Sequence, residues 1–221
     1  FINPIGIYCY DIEKQIQDTI KELDVDACYH FVPITNINAI KEDVFRRRKE
    51  SQNVIELSKY TMATTRALQD YHAIKLTYGN KKARKFIFTL QQKLCKDCSQ
   101  YNIELPGQVI DELGLNLKKI NSVKDGDYIN DSIHQDQKLA EQWNITKTPT
   151  TVIFKENDES CGILLEGTLK HDDLVSLLIP ERKIIEQPSF YDKMFSNNHL
   201  RLNIDLRYRC LQVCATSQRV H

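Results

Sequence analysis

The 221-residue chain carries 30 basic and 30 acidic side chains, so its formal net charge is zero, and apolar residues make up 41% of it. That balance gives no electrostatic case for nucleic acid or for a membrane surface, and no apolar run nears the roughly 20 residues of a spanning helix. The length suits one domain, or one domain with an appendage, and is ample for a hydrophobic core. Seven cysteines are scattered through a chain too large to need disulfide staples, and no secretory leader is visible. Together these predict a reducing, cytoplasmic setting.

In chain order, Phe1-Ile2 reads as the end of a strand broken by Asn3-Pro4. Tyr8, Ile12, Ile16, Ile20 and Leu23 then recur at helical spacing, with Asp11, Glu13, Lys14 and Asp18 assigned to the polar side. Asp24 to Asp26 ends this helix, and "CYHFVPI" (28–34) reads as a short β-branched and aromatic strand. Strand, helix and strand predict a right-handed βαβ unit. From Asn38 to about Trp143 the pattern is almost wholly helical. Asn53 to Tyr78 holds no Gly or Pro; Ala83, Phe86, Ile87, Leu90, Leu94 and Cys98 form one stripe; Pro106 suits a helix start and Gly114 a helix end; Asp127 to Gln142 is a further helix with Ile129, Ile133, Leu139 and Ala140 as its apolar side.

The period then changes. "TPTTVIF" (148–154) reads as a strand, "ENDES" (156–160) as a hairpin turn, and "CGILLEG" (161–167) as the returning strand. Asp172 to Ile179 is a short helix, with Asp172 or Asp173 as its cap. The order βαβ, helices, ββα predicts an α/β thioredoxin fold with an all-helical insertion. Its four-stranded sheet has the third strand antiparallel to its neighbours. Residues 1–48 and 144–180 form the two halves, 49–143 the insertion, and 181–221 an extension in which 200–210 alternates as a strand with one buried face.

The motif F-x-N-P-x-G-x-x-C at Phe1–Cys9 resembles the active-site turn of DsbA-like thioredoxin-fold proteins, in which a cysteine stands where this chain has Gly6. "TPT" (148–150) resembles that fold's cis-proline loop, which implies a cis peptide before Pro149. The segments "KKARKFIFTLQQKL" and "NIELPGQVIDELGLNLKKI" resemble the insertion of a cytoplasmic Firmicutes branch. That branch includes the adaptors that present the transcription regulator Spx to the ClpXP protease. The resemblance therefore implies protein partners, a Spx-type regulator and ClpXP, and no cofactor.

The chemistry of the turn rests on two positions. In a dithiol site the first cysteine sits at a helix N-terminus, where the dipole and free N–H groups lower its pKa and make it the attacking thiolate. The second lies one turn in and resolves the mixed disulfide. Gly6 occupies the first position and Cys9 the second, so the nucleophile is gone and the resolving residue remains. Cys9 then reads as a small buried apolar residue. The expected binding groove comprises Gly6, Ile7, Tyr8, Cys9 and the Thr148-Pro149 loop, with Tyr8, Tyr10 and Tyr29 clustered at its rim. Arg46, Arg47 and Arg48 form a second candidate patch for an acidic partner.

The rival from another class is a DsbA-like oxidoreductase, or a glutathione-dependent transferase or isomerase, working through Cys9. A third reading is a zinc module built on Cys95, Cys98, Cys210 and Cys214, with His199 or His221 nearby in sequence. "CKDC" (95–98) ends a helix rather than opening one, so it reads as incidental thiols rather than a redox pair. His30 reads as structural. No dinucleotide, P-loop, serine-elbow or H-E-x-x-H motif is present.

Overall fold

A computed structural model describes residues 1–51, 56–96, 101–155, 158–179 and 208–212. Seven helices come first: α1 (Ile7–Leu23), α2 (Ile37–Ser51), α3 (Leu57–Tyr78), α4 (Asn80–Lys96), α5 (Leu105–Glu112), α6 (Leu117–Lys124) and α7 (Asp127–Gln142). The chain then forms β1 (Thr150–Lys155), β2 (Asp158–Glu166), α8 (His171–Leu178) and β3 (Tyr208–Gln212). This is a thioredoxin-like α/β fold with a helical insertion.

The sheet is assembled around Phe1 and Ile2. Phe1 exchanges backbone hydrogen bonds with Thr150, its carbonyl accepting from Thr150 N at 3.0 Å and its nitrogen donating to Thr150 O at 2.7 Å. On the other side Ile2 pairs in parallel with Pro33, Ile2 N donating to Val32 O and Ile34 N donating to Ile2 O. The segment 28–34 is therefore a single bridge rather than the regular strand expected. The carbonyls of Tyr29 and Phe31 accept instead from Arg84 of α4 and the Tyr71 hydroxyl of α3, each at 3.1 Å. β1, β2 and β3 continue the sheet as antiparallel neighbours in that order. β2 begins at Asp158, inside the expected turn. The expected 200–210 strand is seen as Tyr208–Gln212 on the outer edge of β2, and residues 200–207 lie outside the described residues.

The main core joins the dithiol-like turn to the insertion. Ile2, Ile5 and Cys9 share one buried cluster with Tyr71 and Ile74 of α3, Phe86, Ile87 and Leu90 of α4, Val109 and Ile110 of α5, Ile120 of α6 and Ile129 of α7. The α4 stripe is buried as its spacing requires, with Cys98 outside the described residues. A smaller cluster of Ile34, Ala140, Ile145 and Leu164 fills the other side, with Phe1 and Trp143 against it. α5 starts with Pro106 in its first turn, and Gly114 follows it with φ at +66°, a left-handed position that favours glycine.

Two sequence expectations change here. Glu13 does not face solvent: it is 5% exposed, because it lies four residues after Cys9 and shares its inward face. Asp172 and Asp173 do not cap α8. Lys170 precedes the helix without a side-chain cap, and the two acids sit in the first turn, where the helix dipole favours negative charge.

Candidate functional site: a dithiol-like turn without its nucleophile

Asn3 organises the turn. Its Oδ1 accepts from Ile5 N at 3.1 Å, its carbonyl from Gly6 N at 3.0 Å, and its own N–H points at Cys9 Sγ at 3.4 Å. Gly6 has φ −73° and ψ 119°, torsions open to any residue. What it supplies is room: a Cβ there would lie 3.0 Å from Asn3 Cβ and 3.1 Å from Cys9 Sγ. Cys9 is 1% exposed, as expected of a buried apolar residue. Burial, with the nearby Glu13 carboxyl adding to it, pushes its thiol well above the ordinary cysteine range. A thiol in that setting is a poor nucleophile.

The Thr148-Pro149 peptide is cis. Both residues are buried, the Pro149 carbonyl accepts from Gly167 N at 2.9 Å, and the Thr150 hydroxyl donates to Lys147 O at 2.8 Å. Continuing the antiparallel Phe1–Thr150 register by two residues sets Asn3 opposite Thr148, which puts the turn and the cis-proline loop at the same end of the sheet. A thioredoxin family model matches residues 1–175. The chain belongs to the thioredoxin family. No curated protein matches it.

In this thioredoxin-family chain a buried polar ladder runs beneath the turn. Asn3 Nδ2 donates to the Tyr60 hydroxyl at 3.0 Å, and that hydroxyl donates to Asp43 Oδ2. Arg47 Nε donates to the same carboxylate oxygen at 2.8 Å, and its terminal nitrogen donates to the Ile5 carbonyl. On the opposite side Gln91 Nε2 of α4 donates to Asn3 O at 3.0 Å. The Glu13 carboxyl and Gln91 Oε1 are buried here, and burial raises the Glu13 pKa to about 8 against the opposing pull of the Phe1 ammonium and of the Gln91 side chain. At neutral pH Glu13 is thus mostly protonated, the form that burial next to Cys9 favours. α2, α3 and α4 together hold the turn in place.

The other sequence candidates separate in space. Arg47 leaves the expected patch because it is 8% exposed and belongs to the ladder. Arg46 pairs with Glu42 and stacks on Tyr8 at 5.0 Å, while Arg48 is exposed. Successive helical residues point about 100° apart, so a basic run cannot all face one way. Tyr10 packs on Phe88 at 4.8 Å and Tyr29 lies against Arg84, one turn earlier on α4, whereas Tyr8 lies under Arg46. Tyr8 is half-buried, and the Ile7 side chain lies outside the described residues. His30 is exposed, 3.6 Å from Cys28 Sγ, and so is not a core histidine. Cys95 lies in the last turn of α4 and Cys210 in β3, whereas Cys98 and Cys214 fall outside the described residues. Among the described residues no group of three or more His, Cys, Asp or Glu is placed to hold a metal, and no helix is long and apolar enough to cross a membrane.

Sequence reasoning missed Glu13, Asp43, Tyr60 and Gln91. For Glu13 a signal existed, its i+4 spacing from Cys9. Asp43 and Arg47 also stand four apart, a pairing that carries the same hint. Tyr60 and Gln91 reach the turn only through the tertiary fold. A second buried polar group ties α3 to α7: His72 Nδ1 lies 2.8 Å from Ser132 Oγ, and His72 Nε2 lies 3.6 Å from Asp136. Burial lowers His72 to about 4 and raises Asp136 to about 6.

Proposed function

We propose that this thioredoxin-family chain binds proteins and has no dithiol exchange, and that it acts as an adaptor delivering a Spx-type regulator to the ClpXP protease in the cytoplasm. The observation that carries the binding reading is the pairing of Gly6 with a sealed Cys9: the attacking position has no sulfur, and the remaining sulfur is buried beside a carboxyl. A thiol oxidoreductase, or a glutathione-dependent transferase or isomerase, would need that sulfur ionised and reachable. The client assignment is supported by the resemblance of the insertion helices alone. The client segment is assigned to the end of the sheet that carries the turn and the 148–149 loop, with the half-buried Tyr8 beside them. The adaptor mechanism is steric and entropic: a flexible client region is held and presented, with no covalent step.

The test is degradation of purified Spx by purified ClpXP with and without this chain. Acceleration is expected, retained in Cys9→Ala and lost in the combined Tyr8→Ala and Thr148→Arg variant. No acceleration by a folded sample overturns the client assignment. Disulfide exchange activity abolished by Cys9→Ala overturns the binding reading.

A further inference from the structure

Helix α2 has two faces of different chemistry. Ala39, Ile40, Asp43, Val44 and Arg47 turn inward. Outward stand Ile37 and Phe45, 53% and 58% exposed, with Lys41, Arg48 and Lys49 exposed around them. Ile37, Lys41, Phe45 and Lys49 follow at intervals of four and so stack along one side of the helix. The Lys49 ammonium lies 4.7 Å from the Phe45 ring centroid. A lone exposed apolar side chain needs no explanation. Here two of them alternate with cations, and the carboxylate within the ridge, Glu42, is paired with Arg46. Arg46 in turn stacks on Tyr8, which makes the ridge continuous with the rim of the Gly6–Cys9 turn.

We propose that the outer ridge of α2 docks an acidic protein segment that carries a large apolar side chain. This deepens the protein-binding reading and rests on it. The argument is charge complementarity around apolar anchors: Lys41, Arg48 and Lys49 are exposed beside Phe45 and Ile37, and Glu42 on the same stretch is already paired with Arg46. Phe45 and Ile37 offer exposed apolar area at its middle and its end that a partner would desolvate, the role that anchors take in protein interfaces. A nucleic acid fits less well, since the chain as a whole carries no net positive charge.

The test is an NMR titration of the isotope-labelled full chain with a synthetic peptide of alternating Glu and Leu. Amide shifts are expected to concentrate on residues 37–49. Affinity is expected to fall about tenfold in Phe45→Ala and, separately, in Lys49→Glu, and several-fold between about 50 mM and about 500 mM salt. Both positions are exposed, so the variants should fold, and circular dichroism checks this. A peptide with Lys for Glu should not bind. Absent shifts, shifts confined to the 148–149 loop, an unchanged Phe45→Ala affinity, or tighter binding of a single-stranded oligonucleotide at the ridge would each overturn the proposal. A folded sample that gives the 37–49 shifts but does not accelerate Spx degradation overturns the client assignment and leaves the ridge standing, so the two readings fail distinguishably.

Discussion

Gly6 and Cys9 sit in the geometry of a missing bond. In a disulfide the Cβ of one cysteine lies roughly 3 Å from the other's sulfur, given an S–S length of about 2.0 Å. A Cβ built on Gly6 would stand 3.1 Å from Cys9 Sγ. Gly6→Cys should therefore form a disulfide with Cys9 under mild oxidation, read by mass spectrometry after alkylation without reductant; two free thiols would show that the turn is not held as described. Glu13 gives the second prediction at this scale. Its pKa is raised from 4.5 to about 8, so between those values the folded chain holds a proton that the unfolded chain has released. Stability contributed at this site is therefore present below about pH 4.5 and is lost as pH rises toward 8. Glu13→Gln should match the native chain near pH 5 and exceed it near pH 8 by on the order of a few kcal/mol, in urea unfolding at the two pH values. Equal stability at both would mean that Glu13 ionises freely in the fold.

Among the elements, α2 depends most on a single residue. Asp43 accepts from both Arg47 and Tyr60 in the buried ladder. Asp43→Ala should cost about 3–5 kcal/mol by chemical denaturation, because it strands a buried guanidinium without its carboxylate. Adding Arg47→Met should recover much of that loss, since the buried cation goes with its partner; a further additive loss would mean that the pair does not couple. The same helix shows where sequence reading stops. α7 was legible to the residue, Asp127–Gln142, because its pattern is local. The split of Arg46, Arg47 and Arg48 among three environments was not, because it depends on which face of α2 meets the turn. The 28–34 segment looked like a strand by composition, yet its carbonyls went to side chains of two distant helices. Glu13 was misplaced because its charge suggested solvent although its spacing pointed inward.

At the level of the whole molecule, the order of elements was legible because the two landmarks, the turn and the cis-proline loop, lie at the junctions between them. The ladder was not, since it joins residues 3, 43, 47, 60 and 91 through packing alone. Protection should follow that packing. In native-state hydrogen exchange the amides of Ala67, Tyr71 and Ile74 in α3 and of Phe86, Ile87 and Leu90 in α4, all buried in the main core, should exchange slowest, and those of 24–31 fastest. Fast exchange in α3 with slow exchange in β2 would place the stable unit in the sheet instead.

β3 has a consequence for association. It pairs with the outer edge of β2 from Cys161 to Leu165, and it lies beyond the 1–175 stretch that the family model matches. The matched stretch alone would leave a row of unpaired amides and carbonyls along β2, a template for another strand. A chain cut after residue 179 should lose its monodispersity before it loses its helices, with Tyr208–Gln212 acting in the intact chain as a built-in cap against fibre-like growth.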